Sequence, residues 1–333
     1  MQRHHWMSGL LLLVLAGAFS EVGRLDFVLW DDDVNVYENP YLHPVTLRNV
    51  LWFWRQPYFS MYIPVTRTVW AGLGLVSGLT SEGPGIKPMD PSVFHLANLA
   101  VHALNALLVF TLLRKLVAND WACCAGALLF GLHPVQVEPV AWVTGMKDLL
   151  GGLFALVALW GYLTHAMRRR EGGGAAAGRA HYVVATVAFA LALLSKPSAV
   201  VLPVVAWVLD RWALKRPARE VVWALAPWVV LAIAAGGVAA WAEAAIRGAR
   251  TYTPIWARPF VAGDALAFYL YKLLVPLRLG SDYGRTPQFV LGHAWGYLTW
   301  LAPCVLGVLL WARRQAWPLS SSPSCCCRTG APG

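Results

Sequence analysis

Charge is what this sequence has least of. Asp, Glu, Lys and Arg make up 13% of its 333 residues, with 17 acids against 27 bases. A soluble globular chain carries about twice that share, so a surface wetted on all sides is excluded. The six cysteines contain no C-x-x-C pair, which removes the usual spacing of a zinc site. Cys123, Cys124 and Cys304 fall in apolar runs, where a thiol behaves as a small apolar side chain. Cys325 to Cys327 lie in the aperiodic tail SSSPSCCCRTGAPG, which reads as an abrupt or truncated end more than as an acylation site.

Apolar residues fill the space that charge leaves. They make up 58% of the chain, with 18 Trp and a mean hydropathy of +0.53. An all-α polytopic membrane protein of about eight spans follows. The apolar runs are Met7 to Val22, Val93 to Leu113, Trp121 to Leu132, Leu149 to Met167, Tyr182 to Leu194, Val200 to Leu209, Val221 to Ala242 and Gly296 to Trp311. Met1 to His5 followed by Leu10 to Ala18 also resembles a signal peptide, but the other spans pair well when the first is retained. The chain divides into a first transmembrane helix (1–22), a large outer loop (23–91), a transmembrane bundle (92–312) and an irregular tail (313–333).

Lys and Arg in short loops set the orientation. Arg168 to Arg170 with Arg179, Arg211 with Lys215, Arg216 and Arg219, Arg114-Lys115 and Arg313-Arg314 all share the side of the N-terminus, provided the segment 262–278 lies at the far interface without crossing. The net charge of +10 is then mostly a topology signal, and nucleic acid needs no part in it. Three stretches fall on the outer, periplasmic or lumenal face: Gly23 to Pro91, Pro134 to Lys147, and Glu243 to about Gly292. Within the first, Leu47 to Trp54 and Val65 to Leu79 suggest interfacial helices. On the inner side, Glu171 to Gly178 reads as a flexible linker.

Polar chemistry gathers on that outer face. FVLWDDDVNVYENPYL places Asp31, Asp32 and Asp33 in a row just beyond the first span. Adjacent carboxylates raise one another's pKa and are tolerated where they cap a helix in solvent, hold a cation or act as a base. In FHLANLAVHALN, His95, Asn98, His102 and Asn105 fall within an arc of roughly 80° on one helical face. Such a stripe faces protein or a water-filled cavity, either to hydrogen-bond between helices or to meet a ligand. HPVQVEPVAW sets the lone acid Glu138 among apolar residues, as a paired structural group or a second site carboxylate, and Lys147-Asp148 follow as a candidate interfacial anchor. Lys196, in LLSKPSAVVLP, lies near the outer boundary, where it either snorkels or binds a lipid phosphate.

Together with SMYIPVT and YLYKLLVPLRLGSDY, these motifs resemble, in order and approximate spacing over roughly residues 20 to 290, the integral-membrane glycosyltransferases of the GT-C fold. The nearest likeness is to the transmembrane O-mannosyltransferases that target cadherins and to their bacterial relatives with tetratricopeptide repeats. The resemblance implies a sugar taken from a polyprenyl-phosphate donor on the non-cytosolic side. It puts the family's aspartate pair on Asp31 and Asp32 with Asp33 as an extra acid, its His-Asn-His pattern on His95, Asn98 and His102, its loop glutamate on Glu138, and its Ser-Lys pair on Ser195 and Lys196. Where the family has Tyr-Arg-Pro this chain reads Tyr62-Ile63-Pro64, and where it has Gly-Arg it reads Gly145-Met146. Arg67, one helical turn beyond Ile63, is the candidate substitute, and the repeats are absent.

The implied reaction is a single displacement in which Asp31 or Asp32 takes the proton of an acceptor hydroxyl. Lys196, with Arg67, His95, Asn98, His102 and Lys147 as further candidates, holds the donor phosphate. Glu138 and Asp33 are candidate ligands should the site take Mg²⁺ or Mn²⁺, a point the family leaves open. The implied partners are the polyprenyl-phosphate sugar, a protein or glycan acceptor and the bilayer, with a bacterial plasma membrane favoured over the endoplasmic reticulum. Two other classes stay open: a transporter or flippase of lipid-linked sugar, against which the lack of internal repeat symmetry counts, and an inactive scaffold.

Overall fold

The computed structural model describes residues 2–80, 89–170, 175–244 and 253–313. Among them the regular structure is helical: α1 Gln2–Ala18, α2 Leu47–Phe53, α3 Pro64–Thr80, α4 Pro91–Leu116, α5 Asp120–Gly131, α6 Val137–Ala141, α7 Met146–Arg170, α8 Ala175–Ser195, α9 Leu202–Leu209, α10 Ala218–Ala244, α11 Arg258–Leu274, α12 Pro287–Leu291 and α13 Leu301–Arg313. Seven stretches among the described residues are long and apolar enough to cross a membrane, and the protein is an all-α polytopic membrane protein.

Local chemistry explains where the helices start. Asp90 caps α4 by accepting from Ser92 N, with Pro91 in the first turn, and Asn119 caps α5 by accepting from Trp121 N and Ala122 N. Thr46 does the same for α2 by accepting from Asn49 N. The two apolar stretches of the outer loop are thus helices, α2 and α3, and they pack on each other. The linker is shorter than its sequence suggests, because α8 already begins at Ala175. The tail with Cys325 to Cys327 lies outside the described residues.

α7 and α8 form the central antiparallel pair, where Tyr162, Leu163, Ala185, Phe189 and Trp228 of α10 are buried. α1, α4 and α5 form a second packed unit through Leu11, Leu15, Ala106, Phe110 and Ala127. α10 and α13 present Trp223, Val230, Ile233, Val308 and Leu309 outward, as lipid-facing helices do. α11, at 17 residues, is not among the seven candidate spans.

α5 is the informative exception. At 12 residues it rises about 18 Å, well short of a hydrocarbon core of about 30 Å. The chain covers the rest through tight turns at Pro134–Gln136 and Val143–Gly145 with α6 between them. Broken backbone of this kind is tolerated near a membrane only where protein satisfies its polar groups. The residues that satisfy it build the candidate site.

Candidate active site

The polar stripe of α4 faces this broken segment. His95, Asn98, His102 and Asn105 are all buried. Asn98 Nδ2 donates to Trp142 O at 2.7 Å and lies 3.3 Å from Pro139 O and 3.4 Å from Val140 O. His102 Nε2 donates to Gly131 O at 2.9 Å, and Asn105 Nδ2 donates to Leu149 O at 3.0 Å. The stripe therefore hydrogen-bonds to backbone carbonyls spread between Gly131 and Leu149. His95 is bonded elsewhere, to Asp26 O at 3.4 Å, and steadies the approach to the aspartates.

Asp32 supplies the complementary acceptor. It is fully buried, and its two oxygens take backbone N–H groups from distant places: Oδ1 from Thr144 N at 3.0 Å and Oδ2 from Val28 N at 3.1 Å. Burial raises its pKa and these two bonds oppose the rise. Asp32 is a clamp between the loop after α1 and the segment just before α7. Asp31 is placed differently: it is half-buried, and its carboxylate accepts no hydrogen bond from the described residues. Burial raises its pKa above the ordinary aspartate value, the Lys147 ammonium pulls it back, and Asp33 adds to the rise.

Lys147 Nζ donates to Thr144 O at 3.0 Å and lies 5.4 Å from the Trp142 ring. Lys196, extended at the end of α8, is ion-paired with Asp148 in the first turn of α7. Glu138 belongs to the same group: burial raises its pKa, Asp148 adds to this, and Lys147 and Lys196 lower it. Asp31, Glu138, Lys147, Asp148 and Lys196 thus form one alternating-charge cluster where α7 begins and α8 ends. Asp148, the partner of Lys196, has only a weak signal in the sequence, the basic-acidic pair of GMKDLL.

Arg67 is placed elsewhere. It is 1% exposed, with its guanidinium 4.7 Å from the Tyr58 ring centroid and 5.2 Å from that of Phe53, and burial pulls its pKa down to about 10. Its Nη2 donates to Tyr58 O at 2.9 Å and to Asn35 Oδ1 at 3.3 Å, and Asn35 Nδ2 donates to Asp31 O at 2.9 Å. Arg67 therefore positions the aspartate loop through Asn35. Ile63 and Met146, where the resembling family has arginines, are each 1% exposed and lie in one apolar cluster with Phe53, Trp70, Phe94 and Val143. The two departures replace charge with packing in one place.

Among the described residues no three His, Cys, Asp or Glu side chains come together, and Asp32 gives both its oxygens to backbone N–H groups. Lys147 and Lys196 already supply positive charge among the acids.

Gly145 enters the sequence motifs only as the neighbour of Met146, and its own part is visible in the fold. A Cβ there would sit 2.3 Å from Pro139 O and 2.7 Å from Pro139 Cα, so only glycine lets the Glu138 turn fold back on the start of α7. Gly145→Ala is expected to displace that turn, to lower stability by about 1–3 kcal/mol and to reduce activity with it. Thermal unfolding in detergent, beside an activity assay, checks this; an unchanged melting temperature contradicts it.

No family model and no solved structure matches the chain. Parts of it are similar to curated relatives. Ninety-one residues, 27% of the chain, are 40% identical to protein O-mannosyl-transferase Tmtc2 of Drosophila melanogaster, and cover 9% of that protein. A stretch of 142 residues, 40% of the chain, is 30% identical to protein O-mannosyl-transferase TMTC3 of Homo sapiens and covers 14% of it. The Mus musculus protein of the same name is 30% identical over 161 residues, 46% of the chain and 16% of the relative. The matches thus span less than a fifth of these relatives' lengths.

Proposed function

We propose that this chain, similar in part to protein O-mannosyl-transferases, is a membrane glycosyltransferase with Asp31 as its general base. It moves a hexose, mannose by default, from a polyprenyl-phosphate donor to a Ser or Thr hydroxyl on the non-cytosolic face of a bacterial plasma membrane. One observation carries the reading above the others. Asp31 is a carboxylate without a hydrogen bond from the described residues, and the Lys147 ammonium is near enough to favour its ionised form.

In the proposed reaction the acceptor hydroxyl gives its proton to Asp31 while its oxygen attacks the anomeric carbon. The bond from that carbon to the phosphate oxygen breaks, its electron pair stays on the phosphate, and polyprenyl phosphate leaves. A single displacement of this kind inverts the anomeric configuration. Lys196 and Lys147 balance the charge that develops on the phosphate. Glu138 and Asp148 hold the lysines in place before the donor arrives. His95, Asn98 and His102 act at one remove, through the backbone they satisfy, and Arg67 acts through Asn35.

The pH profile tests the base. Asp31 must be ionised to work, and burial disfavours its ionised form, so the acid limb of the rate lies at higher pH than a solvated aspartate would give. Lys147 is the group that lowers this pKa, so Lys147→Met moves the limb further up in pH as well as slowing transfer. An acid limb left in place by Lys147→Met contradicts the assignment. At the level of the cell, deleting the gene removes an O-linked hexose from exported proteins, read by mass analysis. An unchanged glycan profile counts against the whole reading.

A further inference from the structure

The opposite end of α7 carries a second cluster of charged residues. α7 begins at the Asp31 cluster and ends at Arg170, about 36 Å along the helix. There Arg169, Arg170, Leu214, Lys215, Arg216, Pro217 and Glu220 line a cavity of about 420 Å³. Four bases, two from the last turn of α7 and two from the loop before α10, thus meet one acid. A topology signal needs only the number of charges in a loop and does not require them to converge on a hollow.

The walls of this cavity are built. Arg216 is 5% exposed, its Nη1 donating to Asp210 Oδ2 at 2.8 Å and its Nη2 to Glu220 Oε2 at 3.4 Å. Arg211 Nη1 donates to Arg216 O, and Arg170 Nη1 donates to Leu214 O at 3.3 Å. Arg169 and Lys215 are exposed, and neither has a hydrogen bond or ion pair from its side chain among the described residues. Lys215 holds a left-handed backbone, φ 54°, at the end of a wide helical turn, Asp210–Leu214. Glycine or asparagine would adopt that conformation at less cost, so the turn itself gives no reason for lysine.

We infer that this cavity binds the phosphate of an anionic phospholipid headgroup, with Arg169 and Lys215 as the cations that meet it. Its position fits a lipid more than a soluble ligand. It sits at the ends of three candidate spans, Val143–Arg170, Pro197–Leu214 and Ala218–Ala244. Trp212 of the same turn packs against Trp311 at 6.2 Å between ring centroids, and paired tryptophans at span ends mark headgroup depth. Basic hollows between such helices take phosphate headgroups.

Native mass spectrometry of the detergent-purified chain titrated with phosphatidylglycerol or phosphatidylcholine tests the inference. Wild type retains phosphatidylglycerol in preference, and the double variant Arg169→Gln/Lys215→Asn weakens that retention roughly tenfold or more with its melting temperature unchanged. The control Lys115→Gln/Arg168→Gln removes two charges at the same end of the bundle without touching the cavity lining, and keeps the preference. Inorganic phosphate is the second arm. If it displaces phosphatidylglycerol and raises the melting temperature of the lipid-free protein, the phosphate group suffices and a soluble phosphoester is the source; if only phosphatidylglycerol binds, the lipid is. Equal retention by wild type and Arg169→Gln/Lys215→Asn overturns the site, and so does an equal loss in the control.

Discussion

Asp31→Asn is expected to lower transfer by about 10²–10⁴-fold, the range of a lost general base, while leaving the fold and its melting temperature unchanged. The reason is local. The Asp31 side chain accepts no hydrogen bond from the described residues, so an amide of the same shape strands no partner. Its backbone carbonyl, which accepts from Asn35 N and Nδ2, is unaffected by the change. Donor binding should persist, since the two lysines remain, and the loss should fall on turnover. Single-turnover kinetics in detergent separates the two; normal turnover with weakened donor binding contradicts a base at this position.

Asp32→Asn has a different expected outcome. Both oxygens of Asp32 receive backbone N–H groups, and an amide offers only one acceptor for two donors. One N–H, of Val28 or Thr144, is left facing an NH₂ group inside the protein, at a cost of about 1–3 kcal/mol for the stranded group. Transfer is then lost together with stability, because the tie between the loop after α1 and the start of α7 loosens. Protease sensitivity of the outer loop, compared between the two variants, reads the difference: Asp32→Asn is cleaved faster than wild type and Asp31→Asn is not.

The contrast between these neighbours shows how far the sequence can be read. WDDD announces a functional stretch, but nothing in three consecutive aspartates says which oxygen meets a backbone N–H from residue 144, 112 positions away. The spans were legible because burial in lipid demands long apolar runs, and composition records that demand directly. The His/Asn stripe was legible as a face, because period alone defines it. Its partners were not, because they are backbone carbonyls between Gly131 and Trp142 and at Leu149, which only the folded chain brings to that face.

Arg67 illustrates the opposite case. Its spacing from Ile63 suggested a replacement cation for the donor, yet one turn of helix fixes only its height along α3. The aromatic rings of Phe53 and Tyr58 decide where its guanidinium goes. Ile63 and Met146 look in the sequence like two missing charges. In the fold they are neighbours of one apolar cluster, which long-range packing reveals and motif matching does not.

The most direct test of the central claim is transfer by the purified chain from a synthetic polyprenyl-phosphate mannose to a Ser/Thr peptide, with Asp31→Asn beside wild type. An O-linked, anomerically inverted product is expected from wild type and almost none from Asp31→Asn, with both proteins binding the donor. Donor binding by wild type without any transfer, or equal transfer by the two proteins, would contradict it.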